Sequence, residues 1–146
     1  MPSYSHSLEV NATPDAVFAL LDDTSRTPQW LRRCTGIDRL SEEPVNAVGT
    51  KLRYHYRQGR RAGTMEGQIS AREPGRRLAM TYADRMMEVT VDFVAAPADA
   101  ARTSLTHTIT IRTKGLGVLF SPLISRQLPG QTIDAMTRLK ALAEGR

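Results

Sequence analysis

Two histidines and three tyrosines are the residues whose types and spacing can do chemistry. His107 falls between Leu105 and Ile109 in an alternating run, and His6 falls between Tyr4 and Leu8 in another. Alternation sends every second side chain to one face of a strand, so both imidazoles take the apolar, inward parity. A neutral imidazole near its ordinary pKa serves as a base, an acid or a hydrogen-bond donor to a ligand carbonyl. Tyr54, Tyr56 and Tyr82 share inward parity on other strands and set isolated hydroxyls among apolar neighbours. The plainer alternative is that each histidine is satisfied by a backbone or tyrosine partner and packs as core. That alternative suits His6, so near the terminus, best; for His107 both readings stay open.

Other constellations are missing. GxSxG, HExxH, a P-loop and GxGxxG are all absent, so no cofactor is expected. A metal centre would need a third inward ligand beside His6 and His107, and parity supplies no inward carboxylate in mid-strand, so no metal is expected either. Cys34 is the single cysteine, which excludes an internal disulfide and the paired Cys/His spacing of structural zinc, and fits a reducing cytoplasm.

The elements that must position these residues follow from periodicity. Tyr4 to Val10 alternates as a half-buried strand. Thr13 caps a short helix that starts at Pro14 and runs to Asp22, with Asp15 near the positive end of its dipole. Thr27-Pro28 repeats the device for a second short helix carrying Gln29, Trp30 and Leu31. From Ile37 to Arg112 the period is two, broken at Pro44-Val45-Asn46, Gly59 to Gly63, Pro74-Gly75, Asp84-Arg85 and Pro97 to Ala101, which implies six strands. After Gly115 the helical spacing returns, with Leu116, Leu119, Phe120, Leu123, Leu128, Met136 and Leu139 on one long amphipathic segment that Pro129-Gly130 must kink or interrupt. The sheet cannot cover its own apolar face, and the long C-terminal helix is large enough to do so.

Composition bounds the class. The chain has 146 residues, 40% of them hydrophobic and 24% charged, as expected for one globular domain, 1–146. No secretion signal and no membrane-spanning run is present, so a cytoplasmic protein without membrane insertion is expected. The net charge of +5 raises the question of an acidic partner. Lys51, Arg53, His55 and Arg57 take outward parity, and Arg60, Arg61, Arg76, Arg77 and Arg85 fall at turns, while the tyrosines face inward. The cations therefore read chiefly as a solvated exterior, with a residual pull on an anionic ligand or carrier protein at the rim, and no nucleic-acid partner is expected. A homodimer is compatible with the sequence.

In their order and spacing, several segments resemble the START-like or Bet v 1-like (SRPBCC) superfamily, in particular its polyketide cyclase/dehydrase and lipid-transport branch. These are the opening strand with Ala12-Thr13-Pro14-Asp15-Ala16-Val17-Phe18-Ala19-Leu20-Leu21-Asp22-Asp23, then Trp30-Leu31, Val48-Gly49-Thr50, Glu73-Pro74-Gly75-Arg76-Arg77-Leu78 and Arg138-Leu139-Lys140. The resemblance implies an α+β helix-grip fold: a seven-stranded curved antiparallel sheet wrapped round a long C-terminal helix, two short helices after the first strand, and a cavity between sheet and helix. It also implies that the strands of His6 and His107 are neighbours and that Trp30 lies at one end of the cavity.

Within that frame the inward residues become a pocket lining. Gly67, in line with Met65 and Ile69, leaves volume, and Met80, Met87, Val89 and Phe93 supply an apolar wall with the three tyrosines as polar points. Leu123 and Gln127 lie on the helix where it faces the sheet. Two functions follow: a carrier of a small hydrophobic, aromatic or polyketide/lipid-like ligand, or a cyclase/dehydratase in which His107 and Tyr82 move protons in the same cavity.

Overall fold

The computed structural model describes residues 2–42 and 46–145. Strand β1 (Ser3–Val10) leads into helix α1 (Pro14–Asp22) and helix α2 (Thr27–Trp30), followed by strands β2 (Cys34–Arg39), β3 (Lys51–Gln58), β4 (Arg61–Glu73), β5 (Arg77–Ala83), β6 (Met87–Pro97) and β7 (Thr103–Thr113), and by helix α3 (Ser121–Ala143). The strands form one seven-stranded antiparallel sheet in the order β1-β7-β6-β5-β4-β3-β2. Consecutive hairpins build all of it except the β1–β7 pairing, which brings the first strand back beside the last. Of the turn expected at Pro44-Val45-Asn46, Pro44 and Val45 lie outside the described residues.

Local chemistry explains the helix starts. The Thr13 side chain accepts a hydrogen bond from the Ala16 N–H at 3.2 Å, with Pro14 in the first turn where its missing donor costs nothing. The second start differs from expectation. Asp23, not Thr27, supplies the cap, accepting from the Ser25 N–H and opening a 3-10 turn over Thr24–Arg26. Thr27 is buried inside the helical stretch that follows. The run Asp23-Thr24-Ser25 offers side-chain acceptors earlier, and the first of them wins.

The registers realise the expected parity. Leu52, Met65, Ile69, Leu78, Met80, Phe93 and Leu105 all point to one buried face, where they meet Val17, Leu20 and Leu21 of α1 and Met136 and Leu139 of α3. Helix α3 lies along β1 and also touches α1, α2 and β7. It is not interrupted at Pro129, which sits inside the helix. The apolar residues before it are not part of it: Gly115–Phe120 is a separate 3-10 turn whose Leu116 and Leu119 are 75% and 76% exposed.

Two glycines also depart from expectation. Strand β4 begins at Arg61, because a two-residue loop with Gly59 at φ 63° closes the β3–β4 hairpin and leaves Gly63 in the strand. A Cβ at Gly63 would run into the ring of Tyr56, its register partner, and one at Gly67 would run into the ring of Tyr82 and the Thr81 carbonyl. Both glycines are seats for tyrosine rings. The volume that Gly67 leaves is filled by Tyr82, and Gly67 instead borders a shallow groove on the outer sheet face with Lys51 and Thr81.

Candidate functional site

Between the inner face of the sheet and the first half of α3 lies a cavity of about 350 Å³, within the range that holds a small ligand. Neighbouring strands build its wall in register. Tyr54 pairs with Met65, Tyr82 with Val89, Met80 with Val91, and Phe93 with His107. Met87 follows at the start of β6, and Tyr56 at the end of β3. Helix α2 contributes Trp30, and α3 contributes Leu123 and Gln127. All of these except Val91 were singled out from sequence, so twelve of the candidate residues line the cavity. Gly67 does not, for the reason given above. His6 does not either: it stands opposite His107 in the β1–β7 register, half-buried on the edge strand that α3 covers.

The inner end is a three-ring stack. The His107 imidazole lies parallel to Phe93, centroids 4.1 Å apart at 13°, and Trp30 meets Phe93 edge-on, with centroids 5.7 Å apart at 88°. All three side chains are buried. Among the described residues neither nitrogen of His107 has a hydrogen-bond partner, and neither does the Trp30 indole N–H. Burial pushes the His107 pKa down to about 4, the nearby Asp92 charge opposing and His6 reinforcing that shift. The imidazole is therefore neutral at pH 7, one nitrogen a donor and the other an acceptor. It is not poised as a general acid.

The tyrosines are arranged differently. The Tyr82 hydroxyl donates to Met80 Sδ at 3.3 Å, and its ring is 5.2 Å from that of Tyr54, which in turn stacks on Tyr56 at 6.2 Å. Burial raises the pKa of both Tyr54 and Tyr82, so each stays a neutral phenol. Tyr82 stands on the rung of Val89 and Ile111, His107 on the rung of Phe93, four residues along the sheet. That offset is roughly 13 Å of strand. No hydrogen bond joins Tyr82 to His107.

Toward the other end the cavity reaches the surface. Gln58, Arg61, Phe120, Leu123 and Gln127 line it and are exposed, between the β3–β4 hairpin and the start of α3. Gln58 Nε2 donates to Gln127 Oε1 at 3.2 Å across this mouth. Arg33, Asp84, Met86 and Gln131 complete the rim and wall, and sequence reasoning missed them. Arg33, Asp84 and Met86 stand in irregular segments, where parity assigns no direction. Val91, Ile109 and Ile111 share the inward parity of Phe93 and His107 and belong to the cavity as well. Cys34 is buried, and burial lifts its thiol to about 11, so it is no nucleophile. Asp22, paired with Asp23 in sequence, sits outside the cavity. Burial tends to raise its pKa, but hydrogen bonds from Arg72 and Asn46 outweigh this and hold it below the usual carboxylate value. No cluster of three metal-ligating side chains occurs among the described residues.

A seven-stranded sheet closed on a long C-terminal helix, with two short helices after the first strand and an apolar cavity between, defines the Bet v 1-like helix-grip class. The chain belongs to the family described as "Polyketide cyclase / dehydrase and lipid transport", whose model matches residues 1–144. Its members typically bind hydrophobic ligands. Among solved structures it resembles the ZhuI aromatase/cyclase from Streptomyces sp. R1128, with 17% identity, TM-score 0.78, and 97% of this chain and 93% of that one covered. It also resembles a START superfamily protein from Mycobacterium smegmatis, with 15% identity, TM-score 0.79 and 97% of both chains covered. Ara h 8.0201 is similar too, with 13% identity, TM-score 0.74, and 99% and 98% covered. No curated protein sequence matches the chain. No helix among the described residues is long and apolar enough to cross a membrane.

Proposed function

We propose that this protein binds a small, largely apolar molecule, aromatic or polyketide/lipid-like, that carries a hydrogen-bonding oxygen at its inner end. The observation that carries this reading is the largely apolar cavity, lined by the side chains of Trp30 and His107, whose buried nitrogens have no partner among the described residues. A buried polar group left without a partner costs about 1–3 kcal/mol. A carbonyl or hydroxyl between the indole and the imidazole would remove that cost. The flat Phe93–His107 stack and the Tyr54–Tyr82 pair offer ring faces to an aromatic or conjugated body.

Trp30 is the one tryptophan of the chain, so its fluorescence reports on the cavity directly. Titration with a hydroxylated flat aromatic and with a long-chain fatty acid is expected to quench or shift that emission saturably. In His107→Phe the oxygenated ligand should bind about tenfold more weakly, while its deoxygenated analogue should bind unchanged. Absence of any saturable change, together with no small molecule extracted from the purified protein by mass spectrometry, would remove the reading. A second reading, a cyclase or dehydratase, rests on the neutral His107 imidazole, which can take a proton from a bound poly-ketone and return it. His107→Gln would then abolish turnover while the ligand still bound.

A further inference from the structure

The end of the molecule where the cavity opens also carries an uncovered apolar turn among unpaired cations. In the antiparallel sheet the β3–β4 and β5–β6 turns, the end of β7 and the start of α3 all fall at this one end. A 3-10 turn repeats every three residues, so Gly115–Phe120 has a defined inside and outside. Gly117 and Phe120 face inward: Gly117 is buried so closely on the Met86 carbonyl that a Cβ would not fit, and Phe120 lines the cavity. Leu116 and Leu119 share the outward face, 75% and 76% exposed, with Val118 at 54%. Because Gly117 is fixed on Met86, and the Lys114 N–H donates to the same carbonyl at 2.9 Å, the turn cannot roll to hide its leucines.

Around this turn most charged side chains are cations, with Asp84 at the rim and Glu88 on β6 as acidic neighbours. Arg57, Arg60, Arg61, Arg85, Lys114 and Arg126 are exposed, and none forms an ion pair among the described residues. At the opposite end of the sheet the charges are matched: Arg72 with Asp22, Arg102 with Glu9, and Lys140 with Glu144. The surplus positive charge therefore sits at the mouth.

We propose that this end docks on the surface of an anionic lipid bilayer, Leu116 and Leu119 entering the interfacial layer while the surrounding cations meet the headgroups. Two observations favour a bilayer over a protein. The leucines project from a convex turn and need a deformable apolar medium, not a preformed groove. A stable protein interface also buries about 800 Å² on each partner, more than one turn of apolar side chains supplies. Apolar insertion combined with basic residues is what anionic interfaces reward, at roughly 1 kcal/mol, or about fivefold, per cation near the surface. The docked mouth would open toward the lipid. The proposal does not depend on what the cavity holds.

Vesicle flotation tests it, using phosphatidylcholine alone and phosphatidylcholine mixed with phosphatidylglycerol. The full chain should float with the mixed vesicles, lose that binding in high salt, and ignore the neutral ones. Leu116→Ser with Leu119→Ser, and separately Lys114→Glu with Arg126→Glu, should each weaken binding about tenfold or more with an unchanged urea midpoint. Trp30→Phe and His107→Phe, which alter the cavity, should float as the parent does. Failure of the parent to bind mixed vesicles, equal binding to both vesicle types, or full binding by either exposed-residue variant overturns the proposal. So does a dimer that the leucine variant converts to a monomer, which would assign the turn to a second copy of the chain.

Discussion

His107 is held neutral by the same burial that leaves it without a partner. An unfolded chain protonates this imidazole as pH falls below about 6.5, whereas the folded chain resists until about 4. Between those values the unfolded state binds more protons, so stability falls as pH falls. The contribution is fully present above about 6.5 and lost by about 4, and it amounts to at most about 3 kcal/mol. His107→Gln removes the titration. Urea denaturation of the parent and this variant across that window should show the parent losing more stability on acidification, by up to that amount. Parallel pH profiles would mean that His107 is solvated and not buried against Phe93. A bound ligand hydroxyl that donates to the unprotonated ring nitrogen would deepen the dependence, since it too selects the neutral form.

Helix α3 does different work along its length. Leu123, Ile124, Gln127 and Gln131 wall the cavity, while Ala135, Met136 and Leu139 fill the core behind it. Pro129 lies in the cavity half, where it deprives the Ser125 carbonyl of its intrahelical donor. Restoring the N–H with Pro129→Ala should raise stability by about 1–3 kcal/mol, read as a higher urea midpoint. A drop instead would show that the ring packs better than its backbone cost. These elements also show where periodicity informs and where it stops. Parity placed His107, Phe93 and Met80 on the inner wall because alternation runs unbroken through the β5–β6 and β6–β7 ladders. It misjudged Gly67, whose fate is decided by the Tyr82 ring across the ladder, a register that no single strand encodes. It also folded Leu116 and Leu119 into the long helix. Over six residues a three-residue repeat and a 3.6-residue repeat share their i, i+3 spacing, so only the seating of Gly117 on Met86 separates them. The rim residues Arg33 and Asp84 stayed illegible because turns have no period at all.

At the scale of the whole molecule, the grip of sheet on helix has one polarity. The inner end is closed by Trp30, Phe93 and His107, all buried. The other end is exposed, cationic and apolar at its lip, and is bridged by a hydrogen bond between Gln58 and Gln127. Two exposed neutral amides at 3.2 Å make a weak clasp, worth about 1 kcal/mol or less, so the hairpin and the helix can part there more readily than the packed core can. Ligand exchange should therefore pass between them. Gln58→Cys with Gln127→Cys, joined by a short bis-maleimide, locks this gap, and buried Cys34, with its raised pKa, does not compete for the reagent. Stopped-flow Trp30 fluorescence should then show association and dissociation slowed together, with Kd changing far less than either rate because only the outermost lining residues are altered. Unchanged rates in the cross-linked protein would place the route elsewhere in the wall, and a changed Kd at constant association rate would mean that the clasp residues bind the ligand instead of admitting it.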